Sequence, residues 1–217
     1  MKKSFFIAMV LTLMAVSFAF AQDEQGYVKD LMEVNFFGGG GFPSGDIKDF
    51  GDTVGANSGL SYGFDAGFFI TESWVAGLNF TYTSMSIDDK ANAGGLHHKL
   101  YSPNLFVKYY FIGQSDFIPY LKASAGIDFP KFATFVDNGS NKLYREISYD
   151  PVFSYGGGAG FFYFTTDFSG LFAEVNYHRA QSSGTTADYH GTDYKFDANI
   201  NIIDIHAGIR ILIAPPQ

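Results

Sequence analysis

Counting by twos from Met32 places Met32, Val34, Phe36, Gly38, Gly40 and Phe42 on one face and Glu33, Asn35, Phe37, Gly39 and Gly41 on the other. This alternation is that of a β-strand, whose successive side chains point to opposite faces. Residues 60–70 repeat it, with Leu60, Tyr62, Phe64, Ala66, Phe68 and Ile70 opposite Ser61, Gly63, Asp65, Gly67 and Phe69. In residues 74–83, Trp74, Ala76, Leu78, Phe80 and Tyr82 stand opposite Val75, Gly77, Asn79, Thr81 and Thr83. Five further segments follow the rule, at about 100–112, 117–129, 151–164, 171–179 and 197–213. The last changes phase at Ile202-Ile203, where a bulge would restore an apolar face running from Ile203 to Ile213. The pattern predicts eight strands.

The connections alternate short with long. Residues 71–73, 113–116 and 165–170 are short turns, whereas 43–59, 86–99, 130–150 and 180–196 are long polar loops. Such a chain is an up-and-down meander with the long loops at one end and both termini at the other. In the third loop, Asp137-Asn138-Gly139-Ser140 is a turn signal between two alternating runs, so a hairpin is expected to extend the sheet there.

Side-chain size and charge decide which face meets what. The polar face is mostly Gly, Ser, Thr and Asn, too sparse in charge for a water-facing exterior and small enough for the interior of an eight-stranded barrel. The other face is nearly uncharged, carries aromatics toward strand ends, and spans about ten residues, as a tilted bilayer-crossing strand must. Trp74, Tyr82, Tyr101, Tyr109 and Tyr177 are candidates for interfacial girdles. The expected fold is therefore all-β, an eight-stranded antiparallel up-and-down transmembrane β-barrel. The rival with the apolar face inward is a soluble periplasmic lipid-binding barrel.

Composition sharpens this picture. Aromatics are 18% of residues, charged residues only 17%, and the formal charge of −8 excludes a nucleic-acid partner. Lys2-Lys3, an apolar run from about residue 5 to 16, and Ala19-Phe20-Ala21 read as a secretory signal peptide over residues 1–21, cleaved between Ala21 and Gln22. Residues 22–217 then form one barrel domain. There is no cysteine, so neither a lipid anchor nor a disulfide framework is expected.

The candidate chemistry is mostly structural. The glycine runs at 38–41 and 156–158 fail as phosphate loops, because Asp46 and Ile47 stand where Lys and Ser/Thr belong and Pro43 and Phe161 where third glycines would. By parity Glu33, Asp65, Lys108, Lys122, Glu174, Asp204 and Arg210 face the lumen, where isolated charge is prohibitive and each needs a partner. They are expected to form a polar plug, the rival being a narrow gated ion channel whose pairs exchange partners. His178 with Ser182 or Ser183 and Glu174 invites comparison with lipid A-modifying barrel enzymes, but His178 and Glu174 share the inward face, away from lipid. His97 and His98 are adjacent and diverge on a strand. Asp46, Asp49 and Asp52 are better read as a solvated loop than as a cation site. No catalytic residue, cofactor or metal is expected.

Signal peptide, eight amphipathic strands, short turns on the side of the termini and a glycine-rich first strand together resemble the small outer-membrane β-barrel proteins of Gram-negative bacteria, typified by the OmpA transmembrane domain and OmpX. The final strand, with His206, Gly208, Ile211 and Ile213, is similar to the assembly signal of that group. It departs in having isoleucines where aromatics are usual, and Ala214-Pro215-Pro216-Gln217 in place of a terminal Phe. The resemblance implies a monomer in the cell outer membrane. Its expected partners are membrane lipids and lipopolysaccharide, the outer-membrane assembly machinery, and an extracellular protein ligand held by the long loops. The implied role is structural or an adhesion-like interaction at the cell surface.

Overall fold

The structure, a computed structural model, describes residues 31–48, 55–87, 96–113, 115–137, 142–180, 185–189, 192–196 and 199–214. The leader and its cleavage site at Ala21 and Gln22 lie outside the described residues, as do Asp49, Asp52, Ser182 and Ser183.

The strands are β1 (Met32–Ser44), β2 (Ala56–Phe69), β3 (Trp74–Ile87), β4 (His97–Tyr110), β5 (Phe117–Asp137), β6 (Lys142–Ser148), β7 (Val152–Thr166), β8 (Ser169–Ala180), β9 (Thr185–Tyr189), β10 (Thr192–Phe196) and β11 (Ile200–Ile213). Eight of them, β1 to β5 with β7, β8 and β11, pair antiparallel in sequence order, and the β1–β11 and β4–β5 pairings close the sheet into a barrel. Closure removes free edges, so the spanning backbone pairs between strands all round the barrel, the condition for crossing a bilayer without a helix.

Alternation of burial follows the sequence pattern. Leu60 is 70% exposed, Leu105 66% and Phe68 64%, while Lys108 between Val107 and Tyr109 is fully buried. A barrel that turns leucine and phenylalanine out and lysine in has hydrocarbon as its outer solvent. This removes the inward-apolar alternative, since a continuous set of large hydrophobics lines the exterior while Glu33, Asp65, Lys108, Lys122, Glu174, Asp204 and Arg210 are buried inside.

Two sequence expectations change. The β11 register runs unbroken from Ile200 to Ile211 against β8 and from Asn201 to Ile213 against β1, so there is no bulge at Ile202-Ile203. Ile200 and Ile202 keep the phase of Asp204 and point inward because the loop end of the lumen is itself apolar. There Ile47, Met85, Leu100, Phe132, Tyr149, Val152, Ile200 and Ile202 form one buried cluster. The first strand also continues through Pro43 to Ser44 before a single 3-10 turn at Gly45–Ile47. That turn drops Ile47 into the cluster, and Asp46 Oδ2 holds it by accepting from the Asn199 backbone N–H (3.2 Å) and Nδ2 (3.0 Å).

The third-loop hairpin is present as β6 against the outer half of β5, in register from Lys131↔Ser148 to Asp137↔Lys142. The fourth loop holds a second small hairpin, β9–β10, in a run where sequence alternation is too short to read.

Candidate functional site: the barrel lumen and its rims

The lumen is built by the inward positions of all eight barrel strands. Near the short-turn end, Glu33 and Asn35 of β1, Asp65 of β2, Lys108 of β4, Lys122 of β5, Glu174 of β8 and Arg210 of β11 converge, each buried. Lys108 Nζ lies 2.8 Å from Glu33 Oε1 and 3.1 Å from Asp65 Oδ2. Lys122 Nζ lies 3.0 Å from Glu174 Oε1 and 3.5 Å from Asp65 Oδ2. Arg210 Nε donates to Asn35 Oδ1 at 2.9 Å and stands 3.6 Å from Glu33 Oε2, while Asn35 Nδ2 donates to Asp65. Three carboxylates thus meet three cations, so the cluster is charge-balanced and each member has an opposite neighbour, the condition under which buried ions persist.

Two tyrosines missing from the sequence-level set complete it. Tyr110 donates its hydroxyl to Glu33 Oε2 (2.8 Å) and Tyr120 to Glu174 Oε2 (3.0 Å). Both sit at inward parity, which was the available signal. The Arg210 guanidinium also lies over the rings of Phe162 (4.2 Å), Tyr110 (4.8 Å) and Tyr120 (5.5 Å), a cation–π cradle that suits its planar, weakly hydrated charge. Phe37, Phe69, Val75, Phe106, Phe162, Phe172 and Leu212 surround the ions with an apolar collar, and Leu31, Ile112, Ile118 and Phe164 pack against its outer side.

Glycines make room for these side chains. A Cβ at Gly160 would stand 2.7 Å from the Tyr120 ring and hydroxyl, and one at Gly158 would stand 2.1 Å from Asn176 Oδ1. The glycine run of β7 is therefore the space the polar side chains occupy.

Asp204, the seventh predicted residue, sits apart. It lines a polar cavity of about 30 Å³ nearer the long-loop end, with Asn79, Thr83, Ser102, His178 and His206. Here His178 Nε2 meets Asp128 Oδ2 at 2.7 Å and His206 Nε2 meets Ser61 Oγ at 2.9 Å, with the His206 ring stacked on Phe37. Asp204 Oδ1 lies 3.9 Å from His206 Nε2, and it, Asp128 Oδ1 and His206 Nδ1 have no protein hydrogen-bond partner. The diad that sequence suggested for lipid chemistry is divided: His178 pairs with Asp128 in the cavity, and Glu174 belongs to the ion cluster below it. His97 and His98 diverge, His98 inward and buried and His97 on the outer side. Among the described residues no group of three or more His, Asp or Glu is arranged to hold a metal ion.

On the exterior, Trp74 packs on Tyr109 (4.9 Å) at the short-turn end, and Tyr62, Tyr82 and Tyr101 stack in series at the other, 5.1 and 4.9 Å apart. An apolar belt between two aromatic zones on a closed barrel decides the class. The chain has the fold of a small eight-stranded outer-membrane β-barrel.

Comparison with solved structures agrees. Neisserial surface protein A matches with a TM-score of 0.58 at 20% identity, over 83% of this chain and 96% of that one. The outer membrane protein OprG from Pseudomonas aeruginosa matches at 0.52 and 14% identity, over 89% of this chain and 100% of that one. The outer membrane protein AlkL, determined in lipid bilayers, matches at 0.54 and 12% identity, over 90% and 95%. These identities carry the fold. No protein-family model matches the chain, and no curated protein matches it in sequence.

Proposed function

We propose that the protein is a non-conducting outer-membrane barrel with a structural and cell-surface interaction role, its lumen plugged and its recognition carried by the extracellular loops. The carrying observation is the layered interior: a balanced ion cluster inside an aromatic collar toward the periplasm, and a separate apolar cluster across the extracellular end. An ion crossing this lumen would have to part Lys108 from Glu33 and Asp65 inside low-dielectric surroundings, and then pass side chains such as Phe132 and Ile202 that are fully buried. The same interior supports a non-catalytic reading, because the carboxylates of the ion cluster are engaged by lysines, arginine and tyrosines and face the lumen, away from lipid.

Single-channel recording in planar bilayers tests the plug. Wild-type protein is expected to give no reproducible conductance, and a stable unitary step would overturn the reading. The interaction role rests on the β5–β6 hairpin, which projects beyond the barrel with β6 paired only to β5 among the described pairings. Phe132 and Tyr149 belong to the apolar cluster, so the informative deletion is 134–145, which spares both. The shortened barrel is expected to fold and to lose binding to an extracellular protein partner. Unchanged binding would remove the hairpin from recognition.

A further inference from the structure

Among the described side chains the outward face of the barrel is almost free of charge, and its exceptions are all of one sign at one end. Among the described outward positions of the eight barrel strands, the charged side chains are Lys99 of β4, Lys131 of β5 and Arg179 of β8, each at the extracellular end of its strand. In a chain of formal charge −8 this distribution is not a sample of the composition.

Two of the three are neighbours. The register places Ser84, Lys99, Lys131 and Ser148 in one row across β3, β4, β5 and β6. Immediately below it toward the bilayer run Tyr82, Tyr101 and Phe129. Aromatic rings of this kind mark the headgroup level of a bilayer, so the lysines stand about one residue pair above it, where the phosphates of outer-leaflet glycolipids lie. Glu146 of β6 accepts from Lys99 Nζ at 2.7 and 2.9 Å and lies 3.4 Å from Lys131 Nζ. One carboxylate between two ammonium groups fixes their separation and leaves a net positive charge, with Lys131 half-exposed.

We propose that this row is a binding site for the phosphate of an outer-leaflet glycolipid, the lipopolysaccharide headgroup, with Lys99 and Lys131 as the cations and the two serine hydroxyls as flanking donors. Tyr82 and Tyr101 carry the acyl-chain side of the same lipid. Two lysines suit a phosphate monoester approached from outside, since each ammonium offers three rotatable donors to oxygens whose position the lipid sets. Free phosphate lacks the apolar portion that the tyrosine row would hold. The proposal rests on the outer-membrane placement but not on the plugged lumen.

The test is native mass spectrometry of the folded barrel released from detergent micelles carrying diphosphoryl lipid A, the same lipid after enzymatic dephosphorylation, or orthophosphate alone. Wild-type protein is expected to retain the diphosphoryl lipid, to retain the dephosphorylated lipid about tenfold less, as expected for loss of charge-assisted contacts, and not to retain orthophosphate. The K99Q/K131Q double variant, its fold checked by heat-modifiable gel mobility, is expected to show the same loss for the diphosphoryl lipid. Equal retention of the two lipids by wild-type protein, or undiminished retention by the folded double variant, would overturn the site. Retention of orthophosphate to the same extent as the lipid would overturn the choice of ligand. Neither outcome bears on conductance, which tests the plug.

Discussion

Two polar regions share one lumen and are built on opposite principles. In the short-turn half every charged group of the cluster has an opposite partner, although Arg210 Nη2 is left without a hydrogen bond, and Arg210 and Lys108 also lie against aromatic faces. In the long-loop half, Asp204 and His206 each present an unpartnered atom beside an open polar cavity, and Asp128 Oδ1 is also unpartnered. A buried ion that loses its only counter-charges is costly, whereas a polar group facing a cavity roomy enough for water keeps solvation when its neighbours change. The lower cluster should therefore behave as structure and the upper cavity as a tolerant space.

The largest effect should come from the backbone that brings these layers together. A Cβ at Gly39 would lie 1.8 Å from the Ile205 carbonyl oxygen, so Gly39→Leu is expected to prevent barrel closure, seen as loss of the heat-modifiable band. Normal folding of that variant would remove close strand approach from the account. Next is Lys108→Ala, which strips Glu33 and Asp65 of their shared cation and should destabilise the barrel by about 3–5 kcal/mol in urea unfolding. Tyr120→Phe removes one hydrogen bond to Glu174 and should cost about 1–3 kcal/mol, because the carboxylate stays buried. Asp204→Asn should cost under about 1 kcal/mol, since its Oδ1 makes no hydrogen bond within the protein and lies 3.9 Å from His206 Nε2. A cost for Asp204→Asn matching that of Lys108→Ala would erase the distinction between the halves.

The smallest effect concerns the rim. Partial burial pushes the Glu146 carboxyl upward, but the hydrogen bond and charge of Lys99, helped by Lys131, outweigh it and hold the group below its ordinary range. A carboxyl depressed in the folded state contributes stability that is present above its unfolded value and is lost as the pH falls through the folded one. Acidification below the usual glutamate range should loosen the β6 attachment without unfolding the barrel, detectable as faster amide exchange near Glu146. Glu146→Gln should abolish that pH dependence.

Eight strands, their faces and the inward set of Glu33, Asp65, Lys108, Lys122, Glu174, Asp204 and Arg210 were legible because strand periodicity is two, so parity assigns every side chain to lumen or lipid. Parity misled at Ile202, where an apolar residue on the inward face was read as a change of phase. The inference assumed a uniformly polar lumen, and tertiary structure instead divides the lumen into apolar and polar layers. Parity also could not separate Asp204 from the other six, since alternation gives the side of the sheet and says nothing of height along the axis or of which strands face one another.

The glycine runs show the same division. Sequence alone placed Gly38 to Gly41 and Gly156 to Gly160 inside strands and excluded phosphate loops, because alternation continues through them and the lysine and serine that such loops need are absent. What the space is for was decided in three dimensions, where Gly158 and Gly160 admit Asn176 and Tyr120 and Gly39 lets two backbones meet. The reason is physical: a face is a local property of φ and ψ, whereas a partner is set by register and closure around a barrel that brings together residues such as Arg210 and Asn35, 175 positions apart.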